Sequence, residues 1–177
     1  MALTLNVEKG FTLIELILVI VILGIIAATA IPKFSNLTRD ARIAKLEGMR
    51  GAMHSGTTMI YSKAVIQGKI SGDDTITLDG ASISLHSGYP IGHWAYGLSH
   101  TVNLEGLTYT SGDDVCASEW CGRGNQTSIP SGKTTISPGM IGKIYTEGYR
   151  YSAQCGVYYI NHANGTVPEI GLETDDC

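Results

Sequence analysis

Between Phe11 and Ile31 lie 21 residues that carry a single charge, Glu15. At about 1.5 Å per residue a helix of that length spans roughly 31 Å, against roughly 30 Å for the hydrocarbon core of a bilayer. Such a run accounts for a mean hydropathy of +0.11 in a chain with 22 glycines. The remainder of the 177 residues suffices for one ordinary domain. The expectation is therefore a membrane-competent helix joined to a polar domain. A cleaved secretory signal fits less well. Its apolar run is only about 7–15 residues long, whereas here a longer run follows Lys9 and Gly10, and only Ala27-Ala28-Thr29-Ala30 offers a signal-type cleavage stretch.

Glu15 constrains the reading further. A carboxylate within an apolar segment costs about 2.5–3.5 kcal/mol at a helix centre and less near an end. Two arrangements relieve that cost: the side chain reaches back to the membrane surface, or a cation from another chain meets it. The stretch Lys9-Gly10-Phe11-Thr12-Leu13-Ile14-Glu15-Leu16, with the apolar run after it, resembles the processing site of type IV pilins and pseudopilins. The resemblance implies a leader, Met1–Gly10, removed by a prepilin peptidase that cuts between Gly10 and Phe11 and N-methylates Phe11. It also implies that the new ammonium on Phe11 pairs with Glu15 of the adjacent subunit. Both charges would be desolvated in a filament core, where losing one partner costs about 3–5 kcal/mol. Glu15 would then set the register, while apolar packing supplies most of the assembly energy.

Downstream, Gly24 and Pro32 are weak points, because proline removes a hydrogen bond and crowds the preceding turn, but the reading is one helix of about fifty residues that does not stop at the membrane. The pattern then resumes. Leu46, Met49, Met53, Ile60 and Ala64 form one stripe at helical spacing. Arg39, Arg42, Lys45 and Arg50 mark the other side, as a solvated face or, in the reading preferred here, as partners for acidic groups of neighbouring heads. Helical character fades near Gly68. Beyond Gly72, Thr75–Leu78, Ala81–Leu85, Lys143–Tyr145 and Tyr149–Ile160 read as strands between Gly, Asp and Ser, with a long glycine-rich excursion between about 86 and 140. Residues 31–70 carry a net charge of +5 and residues 71–177 one of -8. An acidic head argues against gripping a nucleic-acid backbone through counterion release.

Further segments narrow the resemblance. Ile31-Pro32-Lys33-Phe34-Ser35-Asn36-Leu37, Asp40-Ala41-Arg42, Tyr61-Ser62-Lys63-Ala64, Gly88-Tyr89-Pro90 and the ending Cys155…Pro168-Glu169-Ile170…Cys177 resemble pilins of the mannose-sensitive haemagglutinin (MSHA) kind. That resemblance implies an α+β fold, with a long N-terminal helix, apolar in its first half, packed on an antiparallel β-sheet head that a disulfide closes at the C-terminal loop. The expected organisation is a leader at 1–10, a membrane and filament-core helix at 11–31, an amphipathic continuation at 32–68 and a β-rich head at 69–177. Implied partners are further copies in a helical filament, the peptidase, an inner-membrane assembly platform with its ATPase, the membrane, and a surface or glycan ligand. The precursor would sit in the inner membrane and the product on the cell surface. The alternatives are a type II secretion pseudopilin and a DNA-uptake or minor pilin.

The four cysteines allow three pairings. In a head outside the cytoplasm they read as disulfides: Cys155–Cys177, with which the resembling pilins tie down a C-terminal loop, and Cys116–Cys121, a tight local loop. A zinc site at Cys116 and Cys121 would need a partnered pair of histidines. His86, His93 and His100 recur every seven residues, but the glycines and proline among them oppose a shared helical face. Gly132-Lys133-Thr134 lacks the first glycine of a phosphate-binding loop, since position 127 is threonine. No triad or paired carboxylates suggest an enzyme, and no cofactor is expected.

Overall fold

A computed structural model describes residues 10–135 and 140–177. Most of the expected leader, Met1–Lys9, lies outside them. Helix α1 runs over Leu13–Ile66, 54 residues, and continues through Gly24 and Pro32. It stops where the sequence supplies a left-handed residue. Gly68 has φ 70°, its N–H donates to Val65 O, and the Lys69 N–H donates to Ala64 O at 2.8 Å. These paired bonds are a Schellman cap, and they satisfy carbonyls that the helix end leaves open.

The chain divides into two compact units, the residues up to Ala41 and Arg42–Cys177. In the first, the side chains from Leu13 to Thr29 are all exposed. The second holds the head. Strands β1 (Asp73–Leu78), β2 (Ala81–His86) and β3 (Tyr89–Pro90) form a three-stranded antiparallel sheet. Both hairpins close through two residues with positive φ: Asp79 and Gly80 (49° and 83°), then Ser87 and Gly88 (54° and 82°). That geometry matches the twist of paired strands. A second sheet takes β4 (Leu107–Tyr109), β5 (Trp120–Gln126), β6 (Ile141–Thr146), β7 (Gly156–Ile160) and β8 (Glu169–Glu173) in chain order. A 3-10 turn, Leu98–Thr101, precedes it.

The stripe read from the sequence forms the core. Leu46, Met49 and Met53 pack with Leu98, Val102, Trp120, Ile144, Val157 and Tyr159, on the five-stranded side. Further along the helix, Ile60 and Ala64 meet Ile76, Ile83 and Leu85 of the smaller sheet. One face of the helix thus organises both sheets. The expected α+β class, with its long apolar N-terminal helix, antiparallel sheet and C-terminal disulfide pair, holds and is consistent with the type IV pilin fold.

Three local expectations change. Within Tyr149–Ile160 only Gly156–Ile160 is strand. The residues before it turn, because the Lys143 ammonium collects the carbonyls of Tyr151 and Ala153 and Cys155 is tied to Cys177. The glycine-rich excursion contains β4, only three residues long, and β5, whose Gly122 and Gly124 mask the alternation that marks a strand. Strands β4 and β5 also run parallel, from Leu107↔Trp120 to Tyr109↔Gly122, since the chain crosses back over residues 110–119 before entering β5.

Candidate assembly site and the fixtures of the head

The start of α1 shows how the backbone and Glu15 satisfy each other. The N–H of Thr12 donates to Glu15 Oε2 at 3.0 Å and its hydroxyl to the same oxygen at 2.7 Å. The Glu15 N–H donates back to Thr12 Oγ1 at 3.3 Å. Thr12 is thus the N-cap and Glu15 the third helical residue of a reciprocal capping box. A negative group there also faces the positive end of the helix dipole. The role of Thr12 was legible as Thr-x-x-Glu before an apolar run, a signal overshadowed by the cleavage motif. Within one chain, then, the carboxylate is already hydrogen-bonded and exposed, at a helix start next to Gly10 and Phe11, both exposed.

Beyond this cap the helix is apolar on every side. Leu13–Ile31 has a mean hydropathy of 2.9 and is long and apolar enough to cross a membrane. Ile14, Leu18, Ile20, Leu23, Ile25 and Ile26 are each more than half exposed. Contiguous apolar surface on this scale marks a membrane or protein contact, and a helix apolar all round belongs inside one or the other.

In the head, the structure joins Cys116 to Cys121, with Cα atoms 5.6 Å apart, and Cys155 to Cys177, 5.0 Å apart. The second closure is reinforced. Arg42 donates to Cys177 O at 3.3 Å, as does the Tyr149 hydroxyl, and the Arg42 guanidinium lies over the Tyr149 ring. Of the basic side of α1, Arg42, Lys45 and Arg50 are engaged within their own chain. Lys45 pairs with Glu119 at 3.0 Å and lies over Trp120, while Arg50 pairs with Glu47 one turn away. Tertiary packing decides this: Glu119 immediately precedes β5, beside the Trp120 ring over which the Lys45 ammonium lies.

An ion pair that the sequence did not reveal sits at the centre of the second sheet. Lys143 on β6 and Glu173 on β8 are buried against each other, with side chains 0% and 1% exposed. The ammonium also donates to Tyr151 O and Ala153 O, and the carboxylate accepts from the Ser131 N–H at 2.7 Å. Burial pulls the Lys143 ammonium below its usual range, opposed by its hydrogen bond to Glu173. The pair ties two strands, the turn before β7 and the loop at Ser131 to one point.

The other singled-out residues are dispersed. His86 contacts Asp73 at 2.6 Å and Ala163 O at 3.1 Å, His93 stacks on Tyr96, and His100 bonds Ala95 O at 3.0 Å. Lys133 is committed to Glu169 and lies over the Tyr158 ring. Among the described residues no group of three His, Cys, Asp or Glu could hold a metal ion.

The molecule so defined is a capped, uncovered apolar helix leading into a disulfide-stapled α+β head. Its residues 5–31 match the family model described as the prokaryotic N-terminal methylation motif. Over 61 residues it is 46% identical to the type IV narrow pilus major component PilA5 of Thermus thermophilus, covering 34% of this chain and 49% of that protein. Over 78 residues it is 33% identical to a type IV major fimbrial protein FimA of Dichelobacter nodosus, covering 44% of this chain and 47% of that one. The type IV major pilin protein PilE1 of Neisseria gonorrhoeae is 40% identical over 56 residues, 32% of this chain and 34% of that protein. The chain therefore spans about half, or less, of the length of these relatives. No solved structure matches.

Proposed function

We propose that this chain is the structural subunit of a type IV pilus. It waits in the inner membrane as a single-pass precursor, is cut between Gly10 and Phe11, is N-methylated on Phe11 by the same peptidase, and is extracted by the platform and its ATPase into a helical filament. The domain limits in this reading are a leader to Gly10, a core helix to Ile31, an amphipathic helix to about Gly68, then the head. Carrying the reading is one juxtaposition: the methylation motif opens a helix whose first nineteen residues are apolar and bare. In the filament, copies of that helix would cover one another. The Phe11 ammonium of one subunit would then compete with Thr12 for the carboxylate of Glu15 on the next. The MSHA-like kind, with surface adhesion and biofilm formation as its role, is supported by the resembling segments after Ile31 and by the closed loop at Cys155–Cys177.

The test is to shear cells that express the chain, collect the filaments and sequence their subunit from the amino terminus. N-methylphenylalanine followed by Thr12 is expected. An uncut chain that never leaves the membrane fraction overturns the proposal. A cut chain that forms no surface filament indicates a periplasmic pseudopilin instead, and filaments whose loss abolishes DNA uptake but not attachment indicate an uptake pilus.

A further inference from the structure

One reactive dipeptide reaches the surface of the head. Asn164 precedes a glycine, whereas the other asparagines precede Val7, Leu37, Leu104, Gln126 and His162. The loop that carries it, between β7 and β8, is pinned on both sides. Upstream, the buried Asn161 amide donates to His86 O at 3.3 Å and to Pro90 O at 3.2 Å, and accepts from the Ala163 N–H at 2.9 Å. Ala163 O in turn meets His86 Nε2 at 3.1 Å. Downstream, Pro168 is buried. Between these anchors residues 164–167 are all exposed. The side-chain oxygen of Asn164, Oδ1, accepts from the Thr166 hydroxyl at 2.7 Å and from the Thr166 N–H at 3.0 Å, an Asx turn. The Gly165 N–H lies within that turn and makes no hydrogen bond among the described residues. A Cβ on Gly165 would meet nothing within 4 Å, so this stretch of backbone is open to water.

We propose that Asn164 is a site of spontaneous deamidation, with Gly165 as the internal nucleophile. The Gly165 nitrogen gives up its proton to water and attacks Cγ of Asn164. The Cγ–Nδ2 bond breaks, ammonia leaves with a proton, and a cyclic imide remains. Water then opens the imide. Cleavage between Cγ and the Gly165 nitrogen gives aspartate, whereas cleavage at the main-chain carbonyl gives isoaspartate, in which the backbone runs through Cβ and Cγ. Nothing is oxidised or reduced, and water is the only co-reactant. Three features single out Asn164. The two donors on Oδ1 draw electron density from Cγ and sit where negative charge develops as the ring closes. The attacking nitrogen is not engaged elsewhere. Glycine, lacking a side chain, leaves that nitrogen uncrowded. Asn161, by contrast, is buried, is held through its amide nitrogen and precedes histidine. Asn103 and Asn125 are exposed but precede leucine and glutamine. The product adds a negative charge to residues 71–177, which already carry -8. Along the isoaspartate branch the segment between Ala163 and Pro168 also lengthens by one backbone carbon, inside the closure at Cys155–Cys177. This chemistry is independent of the pilus reading.

The experiment incubates the full chain, folded in detergent micelles, in water enriched in heavy oxygen, then maps its peptides by mass spectrometry. Heavy oxygen in the new carboxylate separates conversion during the incubation from conversion before it, and electron-transfer fragmentation tells aspartate from isoaspartate. Label at Asn164, with both products, is expected, and none at Asn103 or Asn125 in the same time. Thr166→Val should slow the conversion about three- to tenfold, the worth of one lost hydrogen bond, with thermal unfolding of the head unchanged. Asn164→Gln should lose the label, because glutamine has to close a larger ring. Failure of Asn164 to label in the folded chain overturns the proposal, and the urea-unfolded chain, run alongside, shows that the incubation was long enough. Labelling of Asn103 or Asn125 at the same rate, or a Thr166→Val rate equal to that of the parent, overturns it too. Asn164-Gly165-Thr166 also fits the pattern for N-linked glycosylation. A glycan on Asn164 in chain isolated from cells therefore overturns the proposal as well, since the amide nitrogen is then committed.

Discussion

Along α1, every side chain from Leu13 to Thr29 is exposed, whereas Leu46, Met49, Met53, Ile60 and Ala64 are buried in the head. Both stretches belong to one helix, yet they satisfy apolar surface by different means. The first is apolar all round and can be covered only by lipid or by other copies. The second is apolar along a single stripe and is covered by its own chain. Hydrogen bonding divides in the same way. At the first end one capping box serves the carboxylate, while in the head two disulfides and a buried ion pair fix the loops internally. Stability of the head is thus a property of the polypeptide, and stability of the first stretch is a property of its surroundings. A substitution in one should leave the other intact.

The largest test of that separation is Glu15→Leu. If the proposed pairing holds, removing the carboxylate strands a desolvated ammonium at each subunit contact, at about 3–5 kcal/mol. Processed subunits should accumulate in the membrane without surface filaments, while the thermal unfolding of the head stays unchanged. Abundant filaments from this variant would remove Glu15 from the account of assembly. Within the head, Lys143→Met should produce the greatest loss, about 3–5 kcal/mol, by leaving Glu173 buried and unpaired. Adding Glu173→Leu should recover part of that stability, since no lone charge remains. Recovery stays incomplete because Tyr151 O, Ala153 O and the Ser131 N–H lose their partners. Urea unfolding of the parent and the two variants in micelles reads both effects, and membrane insertion should not change.

The sequence carried these regions unequally, and the reason is physical. The apolar run, the stripe from Leu46 to Ala64 and the stop near Gly68 were legible because helical periodicity and the left-handed glycine act locally. Hairpin β1–β2 was legible for the same reason, through Asp79-Gly80. Hidden were the features that depend on distant pairing. Lys143 and Glu173 lie thirty positions apart, and neither looks like a core residue until the sheet brings them together. Strand β5 escaped notice because Gly122 and Gly124 occupy positions where a strand usually shows branched side chains, and their reason is the close approach of Trp94. The intrachain partners of Arg42 and Lys45 were hidden too, because charge balance gives a sign but no geometry.

Smaller effects grade the head itself. Opening Cys155–Cys177 by paired alanine substitution should cost about 3.4 kcal/mol and opening Cys116–Cys121 about 2.2 kcal/mol, because the cost rises with the logarithm of the loop each closes in the unfolded chain. Calorimetric unfolding of the two variants checks the order. A reversed order would mean that native contacts outweigh loop closure, and the Arg42 and Tyr149 bonds to Cys177 O would make the longer loop the one able to survive reduction.

Acid provides the gentlest probe. The Asp113 carboxylate accepts from the Ser152 hydroxyl and from its N–H, each at 2.7 Å. These bonds hold its pKa below the usual aspartate range, the hydroxyl contributing most. Glu169 is lowered in the same direction, chiefly by its hydrogen bond from Lys133. Because the folded values lie below the unfolded ones, this stabilisation is fully present above the ordinary carboxylate range and is lost as pH falls through the folded values. Both groups are substantially exposed, so water and salt screen the gain and keep it small. Asp113→Asn should therefore unfold at a slightly lower temperature than the parent at about pH 6 and approach it at about pH 3, where the parent carboxylate is itself becoming protonated. A constant gap across that window would show that Asp113 acts through the geometry of the crossover at residues 110–119 rather than through its charge. In that case the acid response of the head would come from its other lowered carboxylates, Asp74, held down chiefly by Lys69, and Glu169, held down chiefly by Lys133.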